Sequence, residues 1–478
     1  MVKQPTPLIS LLPIGILIGL LILIIPIFGS DALEGGSQIA LLSTSAVCVF
    51  IGITFYKRRW ADFENAIVSN ITGVSTALII LLIIGALSSI WMVSGVVPTL
   101  IYYGIQVIHP KFFLASTCII CALVSIMTGS SWTTIATIGI ALMGIGRAQG
   151  FADGWIAGAI ISGSYFGDKI SPLSDTTILA SSISETPLFQ HIRYMLITTV
   201  PSLIITLILF GIAGFTQTAN DTAHIQAFVD TLAERFYITP YLLAVPVVTA
   251  FMIAKRVPSI VTLFLSTLLA LIFGLFFQFD ILLEIANDTG LQTYKGLFKG
   301  VLLTLYGETQ IDTTNTILSE LVATRGMSGM LNTVWLIICA MCFGGAMIAA
   351  GMIKSITDAF TRIIKSRLSL VSSTVGSGLF LNLATADQYI SVILTSNMFK
   401  DIYKKMGYES RLLSRTTEDA VTVTSVLIPW NSCGMTHATI LSVPTLTYLP
   451  YCFFNYISPL MSICIAALGY KIKKKLID

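Results

Sequence analysis

Long stretches without a single charge dominate this chain. Leu8 to Gly29, Gly36 to Tyr56 and Ile71 to Ile108 contain no Asp, Glu, Lys or Arg. About 20 apolar residues cross the ~30 Å hydrocarbon core of a bilayer as a helix, and such runs recur to the C-terminus. Only 11% of the 478 residues are charged, against about 25% in soluble domains, so water is not the solvent for most of this surface. The pattern predicts an all-α polytopic membrane protein whose main partner is the lipid bilayer. The first run is too long for the apolar core of a secretory signal and lacks a convincing cleavage site, so it reads as a retained helix. A net charge of +3 gives no reason to expect nucleic acid as a partner.

Cations cluster at Lys57, Arg58 and Arg59; at Arg362, Lys365 and Arg367; at Lys400, Lys404, Lys405, Arg411 and Arg415; and at Lys471, Lys473, Lys474 and Lys475. Loops rich in Lys and Arg stay cytoplasmic. The C-terminus is therefore expected on the cytoplasmic side of the cell membrane. The N-terminus is expected there too, because Asp31 and Glu34 follow the first span and Lys57 to Arg59 the second. Gln217 to Phe236 and Asp280 to Leu331 read as loops outside the membrane. The CxxC pairs Cys118/Cys121 and Cys339/Cys342 lie inside apolar helices and read as packing residues; no Cys/His spacing suggests a zinc site.

Two kinds of polar interruption break the apolar pattern, each twice. Met127 to Thr134 (MTGSSWTT) is matched by Asn382 to Tyr389 (NLATADQY), and Gly167 to Thr177 (GDKISPLSDTT) by Pro429 to Thr436 (PWNSCGMT). Thr128 and Pro172 are 44 residues apart, as are Thr385 and Pro429, and the pairs are offset by 257. The chain thus divides into repeat one at about 71–183 and repeat two at about 333–447. N-terminal helices occupy 8–56, linking helices 192–278, and a last helix 450–470, all within one transport domain. Cationic flanks on both sides of 368–400 put its two ends on one side of the membrane, which makes it a re-entrant hairpin. Its counterpart 112–146, with weaker cationic flanks, is free to enter from the other side. The expected fold is two inverted repeats, each with a re-entrant hairpin and a discontinuous transmembrane helix.

An unpaired N–H or C=O in hydrocarbon costs several kcal/mol, so irregular backbone at membrane depth belongs inside protein or around a watery cavity. Breaks free carbonyls that suit Na+ and helix N-termini that attract anions. Ser and Thr add neutral oxygens, and Asp adds a charge that pairs with Na+ or takes a proton. Asp168 and Lys169 are either a membrane-edge ion pair or site residues. Asp175 is either a helix cap or a ligand. Asp387 lies in the other break, where intramembrane carboxylates are functional by default. Glu418 and Asp419 either face the cytoplasm or join the site. His437 is a pH-responsive group or a packing residue, and Trp132 and Trp430 are cavity walls or packing aromatics. Ser130, Ser131 and Thr133 are caps or oxygen ligands.

The string Gly167-Asp-Lys-Ile-Ser-Pro-Leu-Ser-Asp-Thr-Thr177 resembles the signature of the NhaC-type sodium/proton antiporters of the ion transporter superfamily. So do Gly129-Ser-Ser-Trp132 and Thr385-Ala-Asp-Gln-Tyr389. The resemblance implies exchange of Na+ for H+, with facing hairpins near the membrane midplane and no cofactor. It implies ion-site roles for Asp168, Ser171, Ser174, Asp175, Thr176, Ser130, Ser131, Thr385, Asp387, Asn431 and Ser432, with Asp175 and Asp387 as the Na+ candidates. Similar proteins exchange organic anions such as malate for lactate, or carry amino acids, and Lys169 is a candidate anion partner. A homodimer is compatible with this reading. An enzyme is disfavoured: neither HExxH nor GxSxG occurs, and Tyr165 stands where an intramembrane aspartyl protease motif needs Gly. A channel is disfavoured because two internal repeats suffice to enclose one site.

Overall fold

A computed structural model describes residues 4–28, 35–216, 222–255, 257–287, 292–313 and 316–472. Asp31, Glu34 and Lys473 to Lys475 lie outside the described residues. Among those described, the chain is helical and has no β-strand beyond one bridge between Thr309 and Thr324. Among the described residues, eight helices are long and apolar enough to cross a membrane, or up to ten if two bent pairs each form one span. The bent pairs are Ile225–Arg235 with Pro240–Ala254, at 93°, and Thr445–Tyr451 with Phe453–Leu468, at 55°. Large apolar side chains such as Ile22, Leu23, Ile208, Phe215, Phe276 and Leu468 stand exposed, as lipid-facing residues must. This is a multi-pass membrane protein.

Several elements extend beyond the apolar runs. The helix expected at 71 begins at Trp60 and continues to Val93. Asp62 starts it early: its carboxylate accepts from Arg59 N at 3.1 Å and from the Arg59 guanidinium at 3.4 Å, the arrangement that satisfies a first turn. The two expected loops are also largely helical, with Thr222–Arg235 in the first and Phe279–Ala286, Thr293–Tyr306 and Thr316–Val322 in the second. They fold because one face of each is apolar: Phe228, Leu232, Ile281, Leu282 and Leu318 are buried. Arg235 bonds to Glu284 and ties the first of these helices to the second.

The two largest of four apolar clusters among the described residues organise the molecule. One joins Trp60–Val93, residues 96–166, the linking helices and residues 423–454; the other joins the N-terminal helices, Leu331–Ala349 and residues 380–386. Trp132 packs against both. The tightest helix pair is Phe113–Thr128 against Asp153–Ile170. A Cβ on Gly163 would sit 2.1 Å from the Cys118 carbonyl oxygen, and one on Gly167 2.4 Å from that of Ala122. Small residues four apart let two helices touch backbone to backbone, the usual way helices associate in lipid. Cys118 and Cys121 are buried free thiols in this contact, which is their packing role.

Gly163→Ala should therefore destabilise the protein by about 1–3 kcal/mol, the cost of overpacking, read as a lower unfolding temperature in detergent. Gly211→Ala, where a Cβ meets nothing within 4 Å, should leave that temperature unchanged.

Candidate ion-binding site

The polar interruptions are breaks in helices. Phe113–Thr128 stops at Gly129, with φ +67°, and the chain restarts as a helix at Ser131. Arg367–Thr385 stops at Ala386, with φ +58°, and restarts at Gln388. A Cβ on Gly129 would lie 2.5 Å from Leu173 Cβ, so only glycine fits there. Ala386 has its Cβ and carries the strain, of order 1–3 kcal/mol, pinned where its carbonyl accepts from Ser432 N at 2.8 Å.

The two tips match bond for bond. Thr128 Oγ1 accepts from Ser130 N at 3.2 Å, as Thr385 Oγ1 accepts from Asp387 N at 3.3 Å. Ser130 caps by accepting from Thr133 N at 3.2 Å, and Asp387 by accepting from Ile390 N at 2.9 Å. Thr128 pairs with Thr134 at 3.1 Å and Thr385 with Ser391 at 2.8 Å. Each partner pair is offset by the same 257 residues. The second kind of break also recurs. Asp153–Ile170 ends before Pro172 and resumes at Asp175, capped by Ser174, which accepts from Thr177 N. The chain from Ser410 breaks at Ile428 to Asn431 and resumes at Ser432, capped by Asn431, which accepts from Cys433 N at 3.1 Å.

Two aspartates sit buried against these breaks. Asp168, 6% exposed, accepts from Ser131 N at 3.1 Å and from Ser131 Oγ at 2.7 Å. Ser174 is the next hydroxyl within its reach, and Ser174 Oγ meets Thr176 Oγ1 at 3.0 Å. Asp387, 1% exposed, accepts from Ser432 Oγ at 3.0 Å besides its cap bond. Of the residues singled out from the sequence, Ser130, Ser131, Thr133, Asp168, Ser174 and Thr176 thus gather at one junction, and Thr385, Asp387, Asn431 and Ser432 at another. Ser171 braces the first break by donating to the Ile126 carbonyl at 2.8 Å. Asp175 is exposed at the start of its helix, within electrostatic range of Asp168 and of Tyr389 from the second hairpin.

A seam of aromatic and polar side chains joins the junctions. Tyr165 Oη lies 3.0 Å from His437 Nε2, and Trp132 packs edge-on to the same imidazole at 5.8 Å. Cys433 Sγ bonds to Gln388 at 2.9 Å. His437, open in its role from the sequence, is fully buried in this seam. Among the described residues no three His, Cys, Asp or Glu converge on a metal position, so a cation here would rely on one carboxylate with hydroxyl and carbonyl oxygens.

The model of the Na+/H+ antiporter family matches residues 5–178 and 163–470, nearly the whole chain. The chain belongs to the Na+/H+ antiporter family. It is 36% identical to the Na+/H+ antiporter NhaC of Alkalihalophilus pseudofirmus over 90% of each chain. It is 35% identical to the malate-2H+/Na+-lactate antiporter of Bacillus subtilis over 88% of this chain and 87% of that one. It is 31% identical to the arginine/ornithine antiporter ArcD of Halobacterium salinarum over 99% and 94%.

A second cluster in this Na+/H+ antiporter family member was not assembled from the sequence. Lys169 does not pair with its neighbour Asp168. Its ammonium bonds to Asp419 and, at 2.8 Å, to Ser458 Oγ. Asp419 also accepts from Thr198 Oγ1 at 3.1 Å and Ser458 Oγ at 3.2 Å. Its other oxygen lies 3.8 Å from Arg415 Nε, whose guanidinium covers the Tyr194 ring at 4.7 Å. Lys169, Arg415, Glu418 and Asp419 are all fully buried, so Glu418 and Asp419 do not face the cytoplasm. At the molecular surface, Lys400 and Lys404 hold the Glu185 carboxyl down at about 2, which fastens the end of the first broken helix to the second hairpin independently of physiological pH.

Removing one member of a buried ion pair strands the other, at a cost of about 3–5 kcal/mol. Asp419→Asn and Lys169→Met should each lower thermal stability in detergent by that amount. The double variant should recover part of the loss in a double-mutant cycle, and strict additivity would show that the pair is energetically unlinked.

Proposed function

We propose that this protein exchanges Na+ for H+ across the cytoplasmic membrane, binding the cation at the junctions that hold Asp168 and Asp387. The observation that carries this is the duplicated junction: a helix break, a buried carboxylate and a neutral hydroxyl bonded to it, occurring twice and joined by Tyr165, His437 and Trp132. Na+ is a hard ion that prefers oxygen ligands. A carboxylate supplies the charge, while hydroxyls and freed carbonyls replace water. Exchange needs the bound cation and the carried proton to exclude one another, and a buried carboxylate that Na+ neutralises changes the charge felt by the titratable groups around it. Asp175, exposed beside Asp168, suits the approach of the ion.

The matched tips support two repeats at about 71–183 and 333–447, and the charge flanks support their inversion across the membrane. Grouping of the cations supports cytoplasmic termini. Arg367 donates to the Ala466 and Ala467 carbonyls. Arg411 covers Tyr194, whose hydroxyl donates to Lys471 O at 3.1 Å. These bonds bring Arg367, Arg411 and Lys471 to one end of the molecule. At the N-terminus, Ser355 donates to Pro5 O at 2.6 Å, which ties that terminus to the segment leading into Arg362.

A second reading, Na+- and H+-coupled antiport of an organic anion or amino acid, is favoured by one feature. A cavity of about 780 Å³, lined by Arg147, Glu320, Arg325, Asn332 and Thr333, reaches Pro429 and Trp430 in the second broken helix. That volume far exceeds the need of a bare ion. Neither Asp168 nor Asp387 lines it, so plain cation exchange is the reading adopted.

The test is reconstitution into vesicles holding a pH dye. A Na+ pulse should move protons with no organic solute present. A response that appears only with malate, lactate or an amino acid would select the second reading. Asp168→Asn and Asp387→Asn should each abolish the response in protein that still folds. Ser131→Ala and Ser432→Ala should only weaken it, since each removes one hydroxyl bond to a carboxylate, worth about 1.5–3 kcal/mol, and leaves the charge in place.

A further inference from the structure

Glu418 has no part in the scheme above, yet its position is unusual. It opens a π-helical turn, Glu418–Thr422. Such a turn widens the helix by one residue and turns otherwise divergent side chains to one face, commonly at functional sites. The carbonyls it releases are taken up by amides from other helices: Asn382 Nδ2 donates to Val421 O at 2.8 Å, Gln388 Nε2 to Thr422 O at 3.4 Å and Asn455 Nδ2 to Val423 O at 2.6 Å. Three amides thus maintain a turn that a regular helix would not need.

The Glu418 carboxyl is fully buried, and neither of its oxygens accepts a hydrogen bond. Thr422, one turn on, is its nearest hydroxyl but lies outside bonding geometry and is itself unpartnered. The ionisable groups around it are few. Asp168 and Lys169 approach from the first broken helix, and Asp419 is its neighbour. Arg415 lies one turn before it beside Asp419, with Tyr194 and Tyr403 in electrostatic range of that guanidinium. His191 lies in range of Lys169. The second hairpin and the resumed broken helix also pack against this turn, and their carboxylates, Asp387 and Asp175, stand at the helix starts rather than beside Glu418. Arg367–Thr385 and Phe453–Leu468 bring Asn382, Asn455 and Ser458 to this level.

We propose that Glu418 takes up and releases the transported proton, apart from the carboxylates that receive the cation. The inference rests on the Na+/H+ reading. With Glu418 carrying its proton, the charges of Lys169 and Arg415 balance those of Asp168 and Asp419. When Na+ neutralises Asp168, the cluster becomes net positive, and the like-charge repulsion that Asp168 exerts on Glu418 is removed. The O–H bond of Glu418 then breaks, the proton leaves to water, and the carboxylate left behind restores the balance. Lys169 can serve it because Asp419 keeps Arg415 as a second cation. Cation binding and proton release are coupled through charge, without sharing oxygens.

The test compares wild type, Glu418→Gln and Glu418→Asp. Na+ should raise the unfolding temperature of all three, because the cation binds the folded state. Na+-driven proton movement in vesicles should be lost in Glu418→Gln and retained in Glu418→Asp. Unchanged proton movement in Glu418→Gln, or loss of its Na+-dependent stabilisation, overturns the inference while leaving the function intact. Absence of Na+-driven proton movement in wild type instead overturns the function itself. Should Glu418→Gln fail to fold, wild-type protein decides. Dicyclohexylcarbodiimide reacts with protonated carboxyls in apolar surroundings, and Na+ should suppress its labelling of the Glu418 peptide; labelling indifferent to Na+ overturns the inference.

Discussion

Backbone that leaves a helix inside lipid must find new hydrogen-bond partners within the protein, and the centre of this molecule is organised by that requirement. At each tip a threonine one residue before the turn takes the N–H two residues on, and a cap residue takes the N–H three residues beyond itself. At each broken helix a Ser or Asn caps the resumed half. The groups that satisfy the breaks are hydroxyls, an amide and a carboxylate. The chemistry that keeps the fold intact is therefore the same chemistry that can replace the hydration shell of a small cation.

The duplication is close in backbone and divergent in charge. In the first half the hydroxyl lies on the hairpin, at Ser131, and the carboxylate on the broken helix, at Asp168. In the second half the carboxylate lies on the hairpin, at Asp387, and the hydroxyl on the broken helix, at Ser432. Each half keeps one hydroxyl-to-carboxylate contact across the same junction, with the roles exchanged. The first half adds a cation beside its carboxylate, Lys169, and it is held by a carboxylate from the second half, Asp419. The halves are thus joined by charge as well as by packing.

The breaks were legible because hydrophobicity, polarity and spacing are local: four polar strings in apolar runs, at matching offsets, mark the interruptions. Long-range partners were not. Asp168 and Lys169 are adjacent in sequence, but successive helical residues do not face each other, and Lys169 finds its partner 250 residues away. Glu418 and Asp419 follow Arg411 and Arg415, a pattern that reads as a solvated end; the helices packed around them bury them instead. Ala386 in left-handed backbone carries no sequence signal, since that conformation is ordinarily left to Gly, Asn or Asp. The helices in the two expected loops were hidden by their charged outer faces, while Phe228, Leu232 and Leu282 on their inner faces dock on the core.

An exchanger must open its site to one side and then the other. The site here lies where the two apolar clusters meet. Tyr165 and Cys433 belong to one cluster, Ala386 and Met435 to the other, and Trp132 touches both. Close-packed interiors do not deform continuously; they move as bodies between discrete arrangements. The contacts that line this boundary are polar or edge-on: the Tyr165 hydroxyl with His437, and the Trp132 ring with the same imidazole. Such contacts break and re-form at small cost, whereas parting Gly163 from the Cys118 backbone would expose buried helix surface. The seam that holds the two carboxylates is therefore the boundary that costs least to part.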